Sequence, residues 1–209
     1  MKYRIAEMGA PADERFEALY EIYASALPVR EQKTREEIFA LVGRCDYKII
    51  ISDDGHQLLG FAIVFVSATQ PVALLEYMAT HQDHRNMGLG ARIFDASLEA
   101  ASRRPMLVEV DSERENSADR AIRIRRKNFY RRLGCLQIDA LNYVLPLLGE
   151  GEPPRMDLLV HPNGREQPIS PHEMSDWLGV LYAEVYHQRA DDPRIEGMLR
   201  NLTNPIILR

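Results

Sequence analysis

The chain has only two cysteines, Cys45 and Cys135, among 209 residues. They could form at most one bridge, which excludes a small scaffold held together by disulfides. The N-terminus, Met-Lys-Tyr-Arg-Ile, lacks the apolar stretch of a secretory signal. Both cysteines are therefore expected to be free thiols in a reducing cytoplasm. Long hydrophobic runs are missing too. The longest, Leu58 to Val66, has nine residues and is interrupted by Gly60. That is strand length, about half of what a membrane span needs. Positive charge is not in excess either: 26 basic residues stand against 31 acidic ones, a formal charge of -5. This excludes a generally basic nucleic-acid coat and leaves room only for a local basic patch. Neither an internal repeat nor a low-complexity segment is found.

What is present is ordinary for a soluble globular protein: 45% hydrophobic and 27% charged residues. A chain of this length buries roughly 70% of its unfolded surface, so no metal or disulfide staple is required. The length predicts one domain with extensions.

Lys2 to Met8 reads as a short first strand. Asp13 to Leu27 carries Phe16, Leu19, Tyr20, Tyr23, Ala24 and Leu27 at helical spacing, and Pro28 ends the element. Thr34-Arg-Glu-Glu37 has the form of a capping box opening a helix through Val42. Tyr47 to Ser52 and Leu58 to Ser67 form an antiparallel hairpin around Asp53-Asp54-Gly55-His56. A strand from Val72 to Thr80 follows, then a loop from His81 to Met87 and a helix from Gly88 to about Ala101. The order continues as strand Met106 to Asp111, helix Ala118 to Leu133, strand Leu136 to Leu145 and strand Arg155 to Val160. Eight of the twelve prolines lie from Pro146 onward. Ser170-Pro171-His172-Glu173 is a helix start, and Met174, Trp177, Leu178, Leu181, Tyr182 and Val185 line one face of that helix. The tail from Asp191 to Arg209 has no clear period. Antiparallel strands come first and two strand–helix–strand crossovers follow, so the fold class is mixed α/β (α+β), not a doubly wound parallel sheet.

The most informative segment is Arg85-Asn-Met-Gly88-Leu-Gly90, set between a strand and an amphipathic helix. Glycines let the backbone approach a ligand closely, and the first free N–H groups of the helix point at it. The N-terminal end of the helix dipole favours an anion, so pyrophosphate is the natural occupant, with Arg85 adding a charged contact. A P-loop would need Gly-Lys-Ser/Thr, where Gly90-Ala91-Arg92 stands. A dinucleotide fingerprint would need a third small residue, where Ile93 stands. A plain tight turn is the remaining alternative.

Leu75-Glu-Tyr-Met-Ala-Thr80 followed by Arg85-Asn-Met-Gly-Leu-Gly90 resembles the acetyl-CoA signature of the GNAT N-acetyltransferase superfamily. Asn128-Phe-Tyr130-Arg-Arg-Leu-Gly134 resembles its second signature. The resemblance covers Lys2 to about Val160. It implies a mostly antiparallel sheet splayed between its fourth and fifth strands, helices on both faces, and an extra C-terminal helix. Residues 1–161 would be the acetyltransferase domain, with 162–209 a helical extension packed on it. Acetyl-CoA would be the cosubstrate and no metal is implied. Its pantetheine arm would pair with the backbone of Met78, Ala79 and Thr80. Its pyrophosphate would sit on the amides of Arg85, Asn86, Met87, Gly88, Leu89 and Gly90. The chain departs from the pattern at Thr80, Cys135 and Arg126.

Acyl transfer to an amine needs a neutral amine, an oxyanion stabiliser and a proton for the leaving thiolate. An amine of pKa ~10.4 is only about 0.1% neutral near neutral pH, a penalty of roughly 4 kcal/mol. The resemblance makes Glu76 the candidate base, although a carboxylate of ordinary pKa ~4.3 needs burial or a relaying water for that task. The alternative is a structural glutamate paired with an arginine. Tyr130 is the candidate acid, with a satisfied core tyrosine as the alternative, and an N–H near Met78 is the candidate oxyanion donor.

Between Arg114 and Arg132 lie eight basic residues against Glu115 and Asp119. A solvated charged face is the plain reading, and the acidity of the rest disfavours nucleic acid. Arg126 shares a helix face with Ile122, Phe129 and Tyr130, and is expected to hold a carboxylate of the acceptor or of the protein. His81 and His84 lie in a polar loop without a third ligand, so no metal is expected. The Trp177 stripe is either packing of the extra helix or a homodimer contact. The resulting expectation is a cytoplasmic enzyme without membrane contact that moves acetyl from acetyl-CoA directly to a primary amine of a small molecule or peptide. Specificity would come from the N-terminal helices, the loop from Gly149 to Pro154 and the C-terminal helix. The rival from another class is a non-catalytic acyl-CoA-binding or nucleic-acid-associated module of the same fold.

Overall fold

The computed structural model describes residues 3–9, 13–29, 32–114, 118–146 and 155–209. Among these, seven strands and six α-helices make a mixed α/β fold whose sheet is mostly antiparallel. The chain divides into two compact units that do not follow chain order: Met1–Val66 with Leu75–Arg103, and Ser67–Leu74 with Arg104–Arg209.

The first unit holds β1 (Arg4–Glu7), β2 (Tyr47–Asp53), β3 (Leu58–Val66) and the Leu75–Thr80 part of β4 (Ala73–Thr80), in that order. Its helices are α1 (Phe16–Ala26), α2 (Arg35–Leu41) and α3 (Leu89–Ala100). The predicted hairpin is present: β2 runs antiparallel to β3, with Tyr47 opposite Phe65. Its turn is fastened by Asp54, whose Oδ1 accepts from the N–H groups of His56 and Gln57 at 2.9 and 3.0 Å. Every residue of β3 is buried, which is why the sequence shows an apolar run there and no alternation. Phe16, Leu19, Ile22 and Tyr23 of α1 and Leu89, Ile93 and Phe94 of α3 are buried, and both helices pack on β3. The capping box of α2 forms as read: Glu37 N–H donates to Thr34 Oγ1 at 3.2 Å, and Thr34 N–H donates to Glu37 Oε2 at 2.6 Å.

The second unit holds Ala73 and Leu74 of β4, then β5 (Met106–Asp111), β7 (Met156–His161) and β6 (Leu136–Gln137) in sheet order. β7 runs antiparallel to both β5 and β6, so those two share a direction. The helices are α4 (Arg120–Arg132), α5 (Pro171–Val180) and α6 (Pro193–Leu199). Ser170 caps α5 by accepting from Glu173 N–H at 3.1 Å, and a π-helical turn, Leu181–Val185, continues it. Trp177, Leu178, Leu181 and Tyr182 are fully buried in this chain, so the stripe is core packing.

Two expectations need correcting. The strand read from Leu136 to Leu145 stops at Gln137, because Ala140 takes a left-handed φ of 59° and the C-terminus takes over the pairing. Gln137 N–H donates to Arg209 O at 2.7 Å, and Asp139 N–H donates to Ile207 O at 2.9 Å. The tail, in which the sequence shows no clear period, contains α6, so the extra C-terminal part has two helices. Asp192 caps α6 by accepting from Arg194 N–H at 2.9 Å, Pro193 opens it, and only Ile195 and Met198 are buried. Two apolar anchors are too few to show a period. The loop from Gly149 to Pro154, expected to shape specificity, lies outside the described residues.

Candidate functional site

β4 is buried through Leu75 and half-buried from Glu76 to Thr80. At Glu76 the side chain is only 2% exposed while the residue as a whole is half-buried, so its accessible surface is main chain. Lys33 Nζ donates to Glu76 Oε1. Glu76 Oε2 is buried and makes no hydrogen bond among the described residues. Aromatic rings surround the pair. Tyr77 lies 5.6 Å from Lys33 Nζ and meets Tyr23 edge-to-face at 4.9 Å, and the Tyr23 hydroxyl accepts from Lys33 N–H at 2.7 Å. Burial, and then the charge of Glu76, push the Tyr47 phenol well above its usual value. Glu76 is thus ion-paired, and its partner is a lysine where the structural alternative had an arginine.

Beyond β4 the chain makes a short 3-10 turn, Gln82–His84, and then the glycine loop. Asn86 and Gly88 both have left-handed backbones, at φ 62° and 78°, and Gly88 is the N-cap of α3. Consecutive N–H groups around left-handed residues form a concave anion-binding nest, and the first turn of α3 adds amides with no intrahelical acceptor. Arg85, Asn86, Met87 and Gly88 are exposed, and Leu89 is buried as the anchor of the helix start. Among the described residues no cluster of His, Cys, Asp or Glu could hold a metal ion, and no helix is long and apolar enough to cross a membrane.

Tyr130 and Arg126 belong to the second unit, on α4. Tyr130 is 7% exposed and packs edge-to-face on Phe129 at 5.1 Å. Burial pushes its phenol well up, against the opposing pull of the Arg126 charge. Arg126 Nη1 donates to Asp111 Oδ2 of β5 at 2.6 Å, so it does hold a carboxylate, one of the protein's own. Lys127, read with its neighbours as part of a solvated face, is buried instead and donates to Glu113 and Asp157 at 2.7 Å each. On β5, Glu109 accepts from the Tyr143 hydroxyl through Oε1 and from the Tyr186 hydroxyl through Oε2, the latter at 2.5 Å. A cavity of about 380 Å³ in this unit is lined by Ser112, Arg114, Tyr143, Arg155 and Asp157, none of them anticipated from sequence.

Residues 45–134 match the family model of the acetyltransferase (GNAT) domain. The likeness to that domain therefore lies in this segment. Among curated proteins none matches significantly. Among solved structures, a protein from Bacteroides thetaiotaomicron described as a GNAT-family acetyltransferase superposes with a TM-score of 0.68 at 23% identity, covering 88% of this chain and 98% of that one. The ribosomal-protein-S18-alanine N-acetyltransferase of Escherichia coli gives 0.57 at 17% identity, covering 79% and 97%. An aminoglycoside 6'-N-acetyltransferase complexed with coenzyme A gives 0.60 at 14% identity, covering 78% and 99%. The fold is that of the GNAT acetyltransferases.

The matched segment contains every candidate catalytic, cofactor-binding and acceptor-binding residue read from the sequence. Glu76, Met78, Ala79, Thr80 and Arg85 to Gly90 share the first unit, and Arg126 and Tyr130 share the second. Lys33 precedes the segment and was missed. A lysine in a polar stretch before a helix carries no local signal, and only the tertiary fold puts it on Glu76, 43 positions away. Lys127 was missed because one buried cation in a run of exposed ones leaves no trace in a charge count.

Proposed function

We propose that the chain is an acetyl-CoA-dependent N-acetyltransferase that moves the acetyl group directly to a primary amine of a small molecule or peptide. The observation that carries this is the state of β4: half-buried residues from Glu76 to Thr80, with main chain accessible at Glu76 and its carboxylate buried. Such a strand offers backbone to an extended ligand and a carboxylate to the group that reacts there. On this reading the backbone of Met78, Ala79 and Thr80 holds the pantetheine arm. The amides of Arg85, Asn86, Met87, Gly88, Leu89 and Gly90 hold the pyrophosphate. Glu76 takes the proton of the amine, Tyr130 supplies one to the thiolate, and an N–H near Met78 meets the oxyanion. Arg126 is the acceptor-side contact, with Asp111 orienting it. The compartment proposed for this activity is the cytoplasm.

Lys33 favours a second reading. A carboxylate already held by an ammonium is what a non-catalytic acyl-CoA-binding module would also have. One experiment orders the two. Acetyl-CoA at a hundredfold over its Kd adds about 2.7 kcal/mol, a rise in Tm of roughly 5 to 10 °C for a protein of this size. The expected result is such a rise with acetyl-CoA and CoA, and a smaller one with adenosine diphosphate. Thiol release is then followed with a panel of amines. The neighbours above are named for a protein alanine and for an aminoglycoside, so both amine types belong in it. No rise at millimolar acetyl-CoA overturns the proposal, and a rise without turnover on any amine selects the binding module.

A further inference from the structure

Lysine is scarce in this chain: Lys2, Lys33, Lys48 and Lys127 are the only four, against 22 arginines. Arginine serves most of the ion pairs, and arginine cannot give up its proton under working conditions. A lysine can, and one of the four is in contact with the carboxylate assigned above to take a proton from the acceptor. Whatever group touches that carboxylate stands where an acceptor's amine must stand. Lys33 presents there the functional group that the proposed reaction consumes. Its side chain is 21% exposed, so the amine is neither sealed in the core nor free in solvent. Glu76 and Met78 are two residues apart on one face of β4, so their Cα atoms lie about 7 Å from each other. That is within reach of a flexible four-carbon stem.

We propose that Lys33 is an internal acetyl acceptor: with acetyl-CoA bound and no external amine, the protein acetylates Lys33 Nζ. The proposal rests on the acetyl-CoA reading and on Glu76 as its base. The Lys33 ammonium first passes a proton to the Glu76 carboxylate it already touches. The neutral nitrogen then forms a bond to the acetyl carbonyl carbon, and the carbon–sulfur bond breaks. One of the two protons lost by nitrogen ends on the CoA thiolate and the other leaves through Glu76 to water. The product amide carries no charge, so Glu76 Oε1 loses its cation.

Lys48 is the internal control. It is also ion-paired, with Glu7 at 3.2 Å, and at 31% exposure it is the more accessible of the two. Reagent chemistry in solution would therefore label Lys48 first. The purified protein is incubated with isotopically labelled acetyl-CoA, and peptide mass spectrometry follows each lysine with time. The expected result is labelling of Lys33 at least ~tenfold faster than Lys48, the mark of a held rather than a colliding reactant. The rate per molecule should not depend on protein concentration. Glu76→Gln should abolish the preference while keeping the thermal shift with acetyl-CoA. If that variant does not fold, the ratio of Lys33 to Lys48 in the unaltered protein still decides. Lys33 labelled no faster than Lys48, in a protein that acetyl-CoA stabilises, overturns the inference and leaves the proposed function standing. Undiminished labelling in Glu76→Gln overturns it as well. Absence of the thermal shift removes the acetyl-CoA reading, and the inference with it.

Discussion

A Cβ placed on Gly60 of β3 would stand 2.8 Å from the carbonyl oxygen of Ala79 and 2.9 Å from Cδ1 of Ile93. The first neighbour is main chain of β4 and the second is the core face of α3, so a single missing side chain lets strand and helix close on β3. The carbonyl cannot swing aside as a side-chain tip would. Gly60→Ala is therefore expected to cost about 1–3 kcal/mol by overpacking, lowering Tm by several degrees. Gly197, exposed inside α6 with no atom within 4 Å of its would-be Cβ, gives the opposite sign. Gly197→Ala should stabilise by about 0.4–1 kcal/mol by restricting the unfolded chain. Urea unfolding of both variants tests the pair, and equal midpoints would remove the packing argument.

The interruption of an apolar run by Gly60 was visible in the sequence, but its reason was not. The run itself, the capping box at Thr34, the N-cap serine at Ser170 and the glycine loop at Gly88 are local signals, and each element they mark is present. What escaped the sequence is set by distance in the chain. β6 is cut short because residues 207–209 return to pair with residues 137–139, a partnership no window of sequence contains. The site divides the same way. Arg85 to Gly90 is one continuous stretch and reads as an anion loop from its own glycines and arginine. Lys33 on Glu76 and Tyr186 on Glu109 join residues 43 and 77 positions apart, and only folding brings them together.

Asp53 links stability to acid. Arg4 donates to its Oδ1 from Nη2 at 2.8 Å and from Nε at 3.2 Å, Gly55 N–H donates to the same oxygen at 2.9 Å, and Arg15 reaches Oδ2 at 3.2 Å. The Arg4 guanidinium foremost, with Gly55 N–H and Arg15 behind it, outweighs burial and holds this carboxyl below the usual range. A depressed folded value means that its stabilisation is fully present above the unfolded pKa of ~3.9, and is lost as pH falls through the folded value. Asp53→Asn should thus be less stable by about 1.5–3 kcal/mol at pH 7, and the gap should close below about pH 4. Unfolding midpoints between pH 7 and pH 3 measure it. A gap that stays constant across that range would show the loss to be packing, not charge.

The two cysteines should differ in reactivity. Cys45 is exposed, whereas Cys135 is buried directly after Gly134, and burial pushes its thiol up to about 12. Only the thiolate attacks a disulfide reagent. Near pH 8 the folded protein should release one equivalent from an aromatic disulfide quickly, and a second only on unfolding. Two fast equivalents in the native protein would mean that the turn after α4 opens readily.

Tyr130 offers the sharpest test of chemistry against binding. Burial keeps the proton on its hydroxyl at neutral pH, and the same desolvation would raise the pKa of a thiolate formed beside it. The two shifts move together, so a phenol above its usual value remains a usable donor to sulfur. Tyr130→Phe keeps the ring and its edge-to-face contact with Phe129 and removes only the oxygen. If the hydroxyl gives the proton, kcat on a found amine should fall by about 10²-fold or more, with the thermal shift by acetyl-CoA unchanged. The loss should be smaller for acyl donors whose thiols have a low pKa, because those leave without help. A parallel fall in turnover and in acetyl-CoA affinity would instead make Tyr130 a packing residue, and the proton would have to come from water.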